Sequence, residues 1–312
     1  MMITFVIPAY NAAKTIDTTL GSVFAPEPLA EMSLEVIVAD DGSSDREKLL
    51  NIIGQYPQVK YCANETNKGK IAAVNLAISQ TKGDVIIILD ADDTLVPDWP
   101  QRLSSILPDW PEDALICFSA CQTQNGETTV SRPDYDGPQT FGDIISETYA
   151  GEYLPMFRGD KIRELGGYLD PQMPWGCEMW TYLRLSKTYP VWISSTVLRV
   201  YHYDRPGSLT HSRNESKTAS QISRCHELVL DEFESDFIAH SPRYYFKRRL
   251  RQSVYLALSG DMSKAFRVWK ENARVSLFVE SAGALLFIVL GSKFTSFAIR
   301  IAKSLGLVKK FG

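Results

Sequence analysis

Over the first hundred positions of the chain, apolar residues come in short unbroken runs, separated by stretches in which they recur every three or four residues. ITFVIPA (3–9), LEVIVAD (34–40), VKYCAN (59–64) and DVIIILD (84–90) read as strands, three of them apolar almost throughout. NAAKTIDTTLGSVF (11–24), DREKLLNIIGQY (45–56) and NKGKIAAVNLAISQTKG (67–83) have the spacing of amphipathic helices, the last one stopped by Gly83. Apolar strands that alternate with helices predict an α/β fold with a mainly parallel central sheet flanked by helices. In such sheets ligands bind beyond the carboxyl ends of the strands. Asp40, Asp41, Asp90, Asp92 and Asp93 all fall at those ends. Residues 101–215 are less regular and richer in aromatic side chains, and residues 216–312 read as helices almost throughout. No internal repeat or low-complexity tract interrupts them.

The chain has 312 residues, 45% hydrophobic and 11% aromatic, enough for a large core and too apolar for disorder. Its net charge of −4 hides an asymmetry: residues 1–240 come to −15 and residues 241–312 to +11. An acidic body with a basic tail predicts an anionic partner for the tail. Within that tail AGALLFIVLG (282–291) is only ten residues long, about half of a spanning helix. The segment after it places Phe294, Phe297, Ile301 and Leu305 at helical spacing between lysines and arginines. That is the pattern of an interfacial helix on an anionic membrane surface. Nucleic acid is the less favoured partner, because no recognition motif accompanies the charge. The five cysteines are scattered and the pair in CFSAC has no second pair to complete a zinc site, so reduced thiols and a cytoplasmic setting are expected. MMITFVIPAYN reads as a strand and not as a signal peptide.

Three carboxylates within four positions, Asp90, Asp92 and Asp93, repel one another unless a cation balances them. A hard divalent ion with oxygen ligands, Mg²⁺ or Mn²⁺, is the usual partner, with phosphate oxygens completing its shell. Three kinds of site share this look. LDADDT fits the D-x-D-x-T string of a haloacid-dehalogenase phosphatase, although that motif normally opens its fold. A P-loop ATPase also ends a strand in acids, but neither G-x-x-x-x-G-K-[ST] nor G-x-G-x-x-G occurs. The remaining reading is a nucleotide-sugar transferase.

FVIPAYNAAKTIDTTLGSV, EVIVADDGSSD, NKGKIAAVNLAISQTKGDVIIILDADD and GGYLDPQMPWGCEMWTYLRLS follow one another in the order and spacing of family 2 glycosyltransferases, and residues 1–215 resemble that family. The resemblance implies the GT-A nucleotide-diphospho-sugar transferase fold over 1–215, with 1–100 as the nucleotide-sugar half and 101–215 as the acceptor side. Residues 216–312 then form a helical, basic extension. It further implies that Pro8, Ala9, Tyr10 and Asn11 cradle the nucleotide, that Asp41 accepts a hydrogen bond from the base, and that Asp40 supports the turn. Asn67, Gly69, Lys70 and Asn75 match the family's N-x-G-x-x-x-x-x-N segment, with Lys70 facing the diphosphate. Asp90, Ala91 and Asp92 match the D-x-D motif, Asp92 as the first choice for metal ligand and Asp93 as its alternate.

The family's general base comes from an acidic pair ahead of a helix, and here Cys177 and Glu178 occupy that place, leaving Glu178 as the base. Trp175 and Trp180 flank it. Arg205 stands where relatives carry a histidine, with His202 and His211 nearby, and is expected on the diphosphate. The implied activity is metal-dependent, inverting transfer of a sugar from a nucleoside-diphosphate sugar, a UDP-sugar in the first instance, to a glycan or lipid-linked acceptor. Its expected setting is cell-surface polysaccharide or glycolipid synthesis at the cytoplasmic face of the membrane. A sugar-nucleotide-binding or glycan-binding protein of the same fold that has lost its base is the second reading, and the phosphatase the third.

Overall fold

The computed structural model describes residues 1–169, 172–174, 177–202 and 216–304, with side chains as far as residue 291. It divides into two compact units, Met1–Asp204 and Arg205–Gly312. The first unit opens with β1 (Met2–Ala9), α1 (Ile16–Phe24), β2 (Ser33–Asp40), α2 (Arg46–Ile53), β3 (Val59–Ala63), α3 (Lys70–Ile78) and β4 (Val85–Ile88). These are the seven elements that the hydrophobic pattern predicts, and α3 stops a turn before Gly83. The unit continues with β5 (Thr94–Leu95), α4 (Trp99–Ile106), β6 (Ile116–Thr123), β7 (Gly137–Gln139), α5 (Phe141–Ile145), β8 (Tyr153–Arg158), α6 (Gly159–Glu164), α7 (Glu178–Ser186) and β9 (Val191–Tyr201).

All the strands join one sheet in the order β3-β2-β1-β4-β8-β6-β9-β5, with β7 also on β9. The first four are parallel, as strands apolar on both faces require. Beyond β4 the pairing changes: β8 runs antiparallel to both β4 and β6, while β9 is parallel to β6 and antiparallel to β5 and β7. β4 therefore carries the parallel half on one edge and the mixed half on the other. Its chain leaves the sheet at Leu89, whose amide donates to Val6 O, and residues 90–93 close a turn through Asp93 N to Asp90 O at 3.0 Å. The acid triplet is that turn.

One apolar core fills the face covered by α1, α2 and α4, with Phe5, Ile7, Leu20, Val38, Ile87 and Trp99 at its centre. Trp99 stands edge-on to Phe5 at 5.1 Å between ring centroids and donates its indole N–H to Val23 O at 3.2 Å.

The second unit consists of α8 (Ser216–Glu232), α9 (Glu234–His240), α10 (Pro242–Ser259), α11 (Met262–Asn272), a 3₁₀ turn Val275–Leu277 and α12 (Phe278–Ser304). α10 is central and packs against α8, α9, α11 and α12. Leu256, Ala265, Val268 and Ile288 form one core cluster and Leu250, Leu277 and Ala284 another. α12 is broken at Gly291, whose φ of 73° is not helical.

Because Trp99 fills the centre of the first unit and satisfies Val23 O, Trp99→Ala is expected to cost about 3–5 kcal/mol of stability. Chemical denaturation followed by circular dichroism measures it.

Candidate active site

Four segments meet at the carboxyl ends of β1, β2 and β4. The first is the exit of β1. Pro8 and Ala9 are buried in the sheet, paired with Ala39 and Asp40 of β2, so they shape the floor with backbone and not with side chains. Tyr10 projects from the rim, 52% exposed. Asn11 turns the chain in the left-handed region, φ 53°, and its Oδ1 accepts from Ser44 N and Oγ at 2.8 and 2.9 Å. Its own amide donates to Ser43 Oγ, so the two strand exits are tied together.

The second segment is the exit of β2. Asp40 is fully buried and accepts from Ser43 N, Tyr61 Oη and Arg46 Nε at 2.8, 2.7 and 2.6 Å. Burial would raise its pKa, but these donors win and hold the carboxylate below its usual range. Asp40 supports the turn, as expected. Asp41 is engaged as well. Its two oxygens accept from Asn64 Nδ2, Lys68 N and Gly69 N at 2.9, 2.9 and 2.7 Å. Buried and held by three donors of the 64–69 loop, the carboxylate shapes that loop.

That loop leads to the third segment. Gly69 has φ 106°, and a Cβ there would lie 2.2 Å from Met173 O. Its lack of a side chain serves the approach of another stretch of the same chain, where a ligand was expected. Asn75 behaves likewise: Nδ2 donates to Tyr168 O and Oδ1 accepts from Tyr168 N, both at 2.8 Å. Gly167, φ 94°, presses so close that a Cβ would sit 2.3 Å from Asn75 Oδ1. Asn75 thus clamps the backbone of residues 167–168 onto α3. Asn67 Oδ1 is buried without a hydrogen-bond partner among the described residues.

The fourth segment is the acid turn itself. Lys70, first residue of α3, places Nζ 2.7 Å from Asp90 Oδ1 and 3.5 Å from Glu178 Oε1. Glu178 is the first residue of α7, where the helix dipole favours an anion. Burial opposes the charge on Lys70, but Asp90 and Glu178 hold it firmly protonated. Beneath the turn lies a residue that the sequence reading missed. Arg199 of β9, 3% exposed, reaches Asp93 Oδ2 at 3.3 Å and Asp90 Oδ2 at 3.5 Å, and donates to Tyr153 O and Cys121 Sγ. An arginine inside the apolar strand VWISSTVLRVY was the available signal, since a buried guanidinium needs carboxylate partners.

Asp90 is shared between Lys70 and Arg199, which outweigh its desolvation and lower its pKa. Asp93 is 1% exposed, and its Oδ1 accepts from His202 N at 2.9 Å. Burial pushes it up to about 7 against the pull of Arg199, with Asp90 and Asp92 adding like-charge repulsion. Asp93 is therefore turned inward. Asp92 is half-buried, and Ala91 is anchored by its carbonyl, which accepts from Thr19 Oγ1 at 3.0 Å. The His202 ring meets Thr94 Oγ1 and the Gln124 amide. Trp180 stacks under Arg184, 5.1 Å from its ring centroid. Arg205, His211 and Trp175 lie outside the described residues.

A divalent ion fits this donor set in one way. Among the described residues no three His, Cys, Asp or Glu side chains could hold an ion between them. Asp92, half-buried, offers hard oxygen, which suits Mg²⁺ or Mn²⁺ if a substrate diphosphate supplies the other ligands.

Replacing Arg199 with leucine strands Asp93 without its cation, and the expected loss at pH 8 is about 3–5 kcal/mol. A carboxyl whose folded pKa is raised is stabilising as the neutral acid and loses that contribution as pH rises through 7. The penalty measured by urea denaturation should accordingly shrink at pH 5.

Comparison with known proteins places the chain in a family. The profile of the family "Glycosyl transferase family 2" matches residues 4–159, half of the chain. A succinoglycan biosynthesis protein of Rhizobium meliloti, ExoO, is 38% identical over 101 residues, 32% of this chain and 28% of that one. The chain spans 28% to 60% of the length of the first four curated relatives it matches. TarS residues 1–349 of S. aureus, solved with UDP-GlcNAc, superposes with TM-score 0.57 at 14% identity, over 93% of this chain and 81% of that one. The mannosyltransferase PcManGT of Pyrobaculum calidifontis, solved with GDP-Man and Mn²⁺, gives 0.54 at 17% identity over 99% and 81%. At those identities the likeness speaks for the GT-A fold. Because the family profile covers half of the chain, the chain belongs to glycosyl transferase family 2.

Proposed function

We propose that this chain transfers a sugar from a nucleoside-diphosphate sugar to a hydroxyl of a glycan or lipid-linked acceptor, with inversion, in cell-surface polysaccharide or glycolipid synthesis at the cytoplasmic face of the membrane. One observation carries the reading: Lys70 Nζ joins Asp90, on the acid turn, to Glu178, at the start of α7, at 2.7 and 3.5 Å. Donor-side acids and a proton acceptor thus share one cation at the mouth of the parallel half-sheet.

In this scheme the acceptor oxygen bonds to the anomeric carbon while the bond to the diphosphate oxygen breaks, its electron pair leaving with the nucleoside diphosphate. Glu178 takes the acceptor's proton. Lys70 meets the negative charge that grows on the diphosphate, an interaction stronger in the transition state than in the ground state. Tyr10 packs on the base or ribose from the rim, and the loop set by Asp41 and Asn11 bounds the nucleotide. Asp92 holds the Mg²⁺ or Mn²⁺, which when bound neutralises the leaving diphosphate. Asp90 faces the ribose or donor sugar, while Asp93 and Arg199 fix the turn from below. The TarS and PcManGT structures, solved with UDP-GlcNAc and with GDP-Man and Mn²⁺, make UDP and GDP with Mn²⁺ the first ligands to try.

Thermal-shift titration with UDP and GDP, with and without Mn²⁺, tests the donor. One diphosphate should raise the melting temperature more with the metal, and Asp92→Asn should remove the metal-dependent part alone. If no nucleoside diphosphate shifts melting, the donor reading fails.

Glu178→Gln keeps the size of the side chain but removes the proton acceptor. Nucleotide binding should persist while transfer falls by about 10²–10⁴. Near-normal transfer by that variant would exclude Glu178 as the base.

A further inference from the structure

The second unit carries an apolar surface that the transfer chemistry does not use. Val275, Phe278 and Val279 are 95%, 72% and 78% exposed, and Leu286, Val289 and Leu290 continue outward along the same helix. With Ala282 and Gly283 between them, the exposed positions recur every three or four residues and define one stripe. The opposite face is committed to the interior: Leu277, Ala284 and Ile288 are buried against residues of α10 and α11. On α11, Met262 and Phe266, one turn apart, are exposed as well.

Charge decides what can cover this face. Residues 241–291 contain nine Lys and Arg against three Asp and Glu, and residues 292–312 add five more Lys and Arg and no acid. Arg267, Lys270 and Arg274 are all exposed on the approach to the stripe. A purely apolar partner would leave those cations unmatched. A lipid leaflet with anionic headgroups matches both, because its charged layer lies directly over hydrocarbon.

Spanning is a poor fit to the same residues. No single helix among the described residues is long and apolar enough to cross a bilayer. α11 and the stretch Val275–Gly291 pass such a test only as a pair, bent by 117°. One face of that pair is already packed into the protein, so only the other is available to lipid.

We infer that the stripe Val275, Phe278, Val279, Leu286, Val289 and Leu290 inserts lengthwise into the headgroup boundary of an anionic leaflet, with Arg267, Lys270 and Arg274 on the phosphates. The 3₁₀ turn and the start of α12 form the leading corner, since Val275, Phe278 and Val279 are the most exposed large apolar side chains among the described residues of the unit. This deepens the membrane-facing part of the proposed function, but its readout does not depend on sugar transfer.

The test is co-sedimentation of the full chain with phosphatidylcholine vesicles and with vesicles that also contain phosphatidylglycerol. The wild type should pellet with the anionic vesicles, be released in part by high salt, and bind the neutral ones more weakly. Phe278→Ser with Val279→Ser, and separately Arg267→Glu with Lys270→Glu, should each weaken anionic-vesicle binding by at least about tenfold. All four positions are exposed, so the melting temperature and the response to nucleotide should be unchanged, and a failed donor reading would appear in the nucleotide arm alone. The inference is overturned if the wild type pellets with neither vesicle, or if both variants pellet as the wild type does. It is equally overturned if the wild type resists alkaline extraction as a spanning protein, or if it is a dimer in solution that Phe278→Ser with Val279→Ser converts to monomers.

Discussion

A single buried cation under the acid turn sets what the rest of the site can be. Asp90 and Asp93 approach each other at the end of β4, and without a counter-charge one of them would take up a proton or the turn would open. Arg199 supplies that charge from β9, the strand that follows the proposed base in sequence. The turn is thus held by an element of the mixed half of the sheet, although its own strand belongs to the parallel half. Arg199 thereby balances Asp93 in the interior, while Asp92 is half-buried. This pairing also explains why two acids one position apart in sequence have such different exposure.

A second set of contacts couples the same two halves from above. Asp41 shapes the loop that leads into α3, Gly69 lets that loop touch Met173, and Asn75 holds the backbone of Tyr168. Lys70 sits between these contacts and bridges to Glu178. The residues of the N-x-G-x-x-x-x-x-N segment are therefore mostly bound to protein. What they deliver is the position of one lysine, and with it the distance between the donor-side acids and α7.

The parallel half of the fold was legible because its strands are buried on both faces and announce themselves as unbroken apolar runs. The acids at strand ends were legible for the complementary reason, since charge has no other cause to follow such a run. What the pattern did not show was direction. Asp41 and Asn75 carry the residue types of ligand-binding groups, but their hydrogen bonds are satisfied by backbone amides and carbonyls more than twenty residues away. Spacing along a chain contains no information about such partners. Arg199 was missed for a related reason: its meaning lies in Asp90 and Asp93, roughly a hundred positions earlier. Only the sheet order, with β9 beside β5 just past the turn, brings them together.

β4 has only four residues, yet it is the seam of the catalytic unit. On one edge Ile3, Thr4, Phe5 and Val6 pair with it, and on the other Arg158, Phe157 and Met156 do. Gly159 N donates to Asp84 O at 2.7 Å just beyond that second edge, close to where the family match ends. Under the proposed function, the half that handles the nucleotide is joined to its neighbour by three residue pairs at this seam and by the contacts of β5, Asn75, Lys70 and Arg199 beyond it, and is a natural unit of exchange. Different acceptor scaffolds can be joined to it provided they bring a strand of the right register, a cation for the buried acids and a carboxylate within reach of Lys70. Diversity of acceptors on a constant donor half then needs no change in the half that handles the nucleotide.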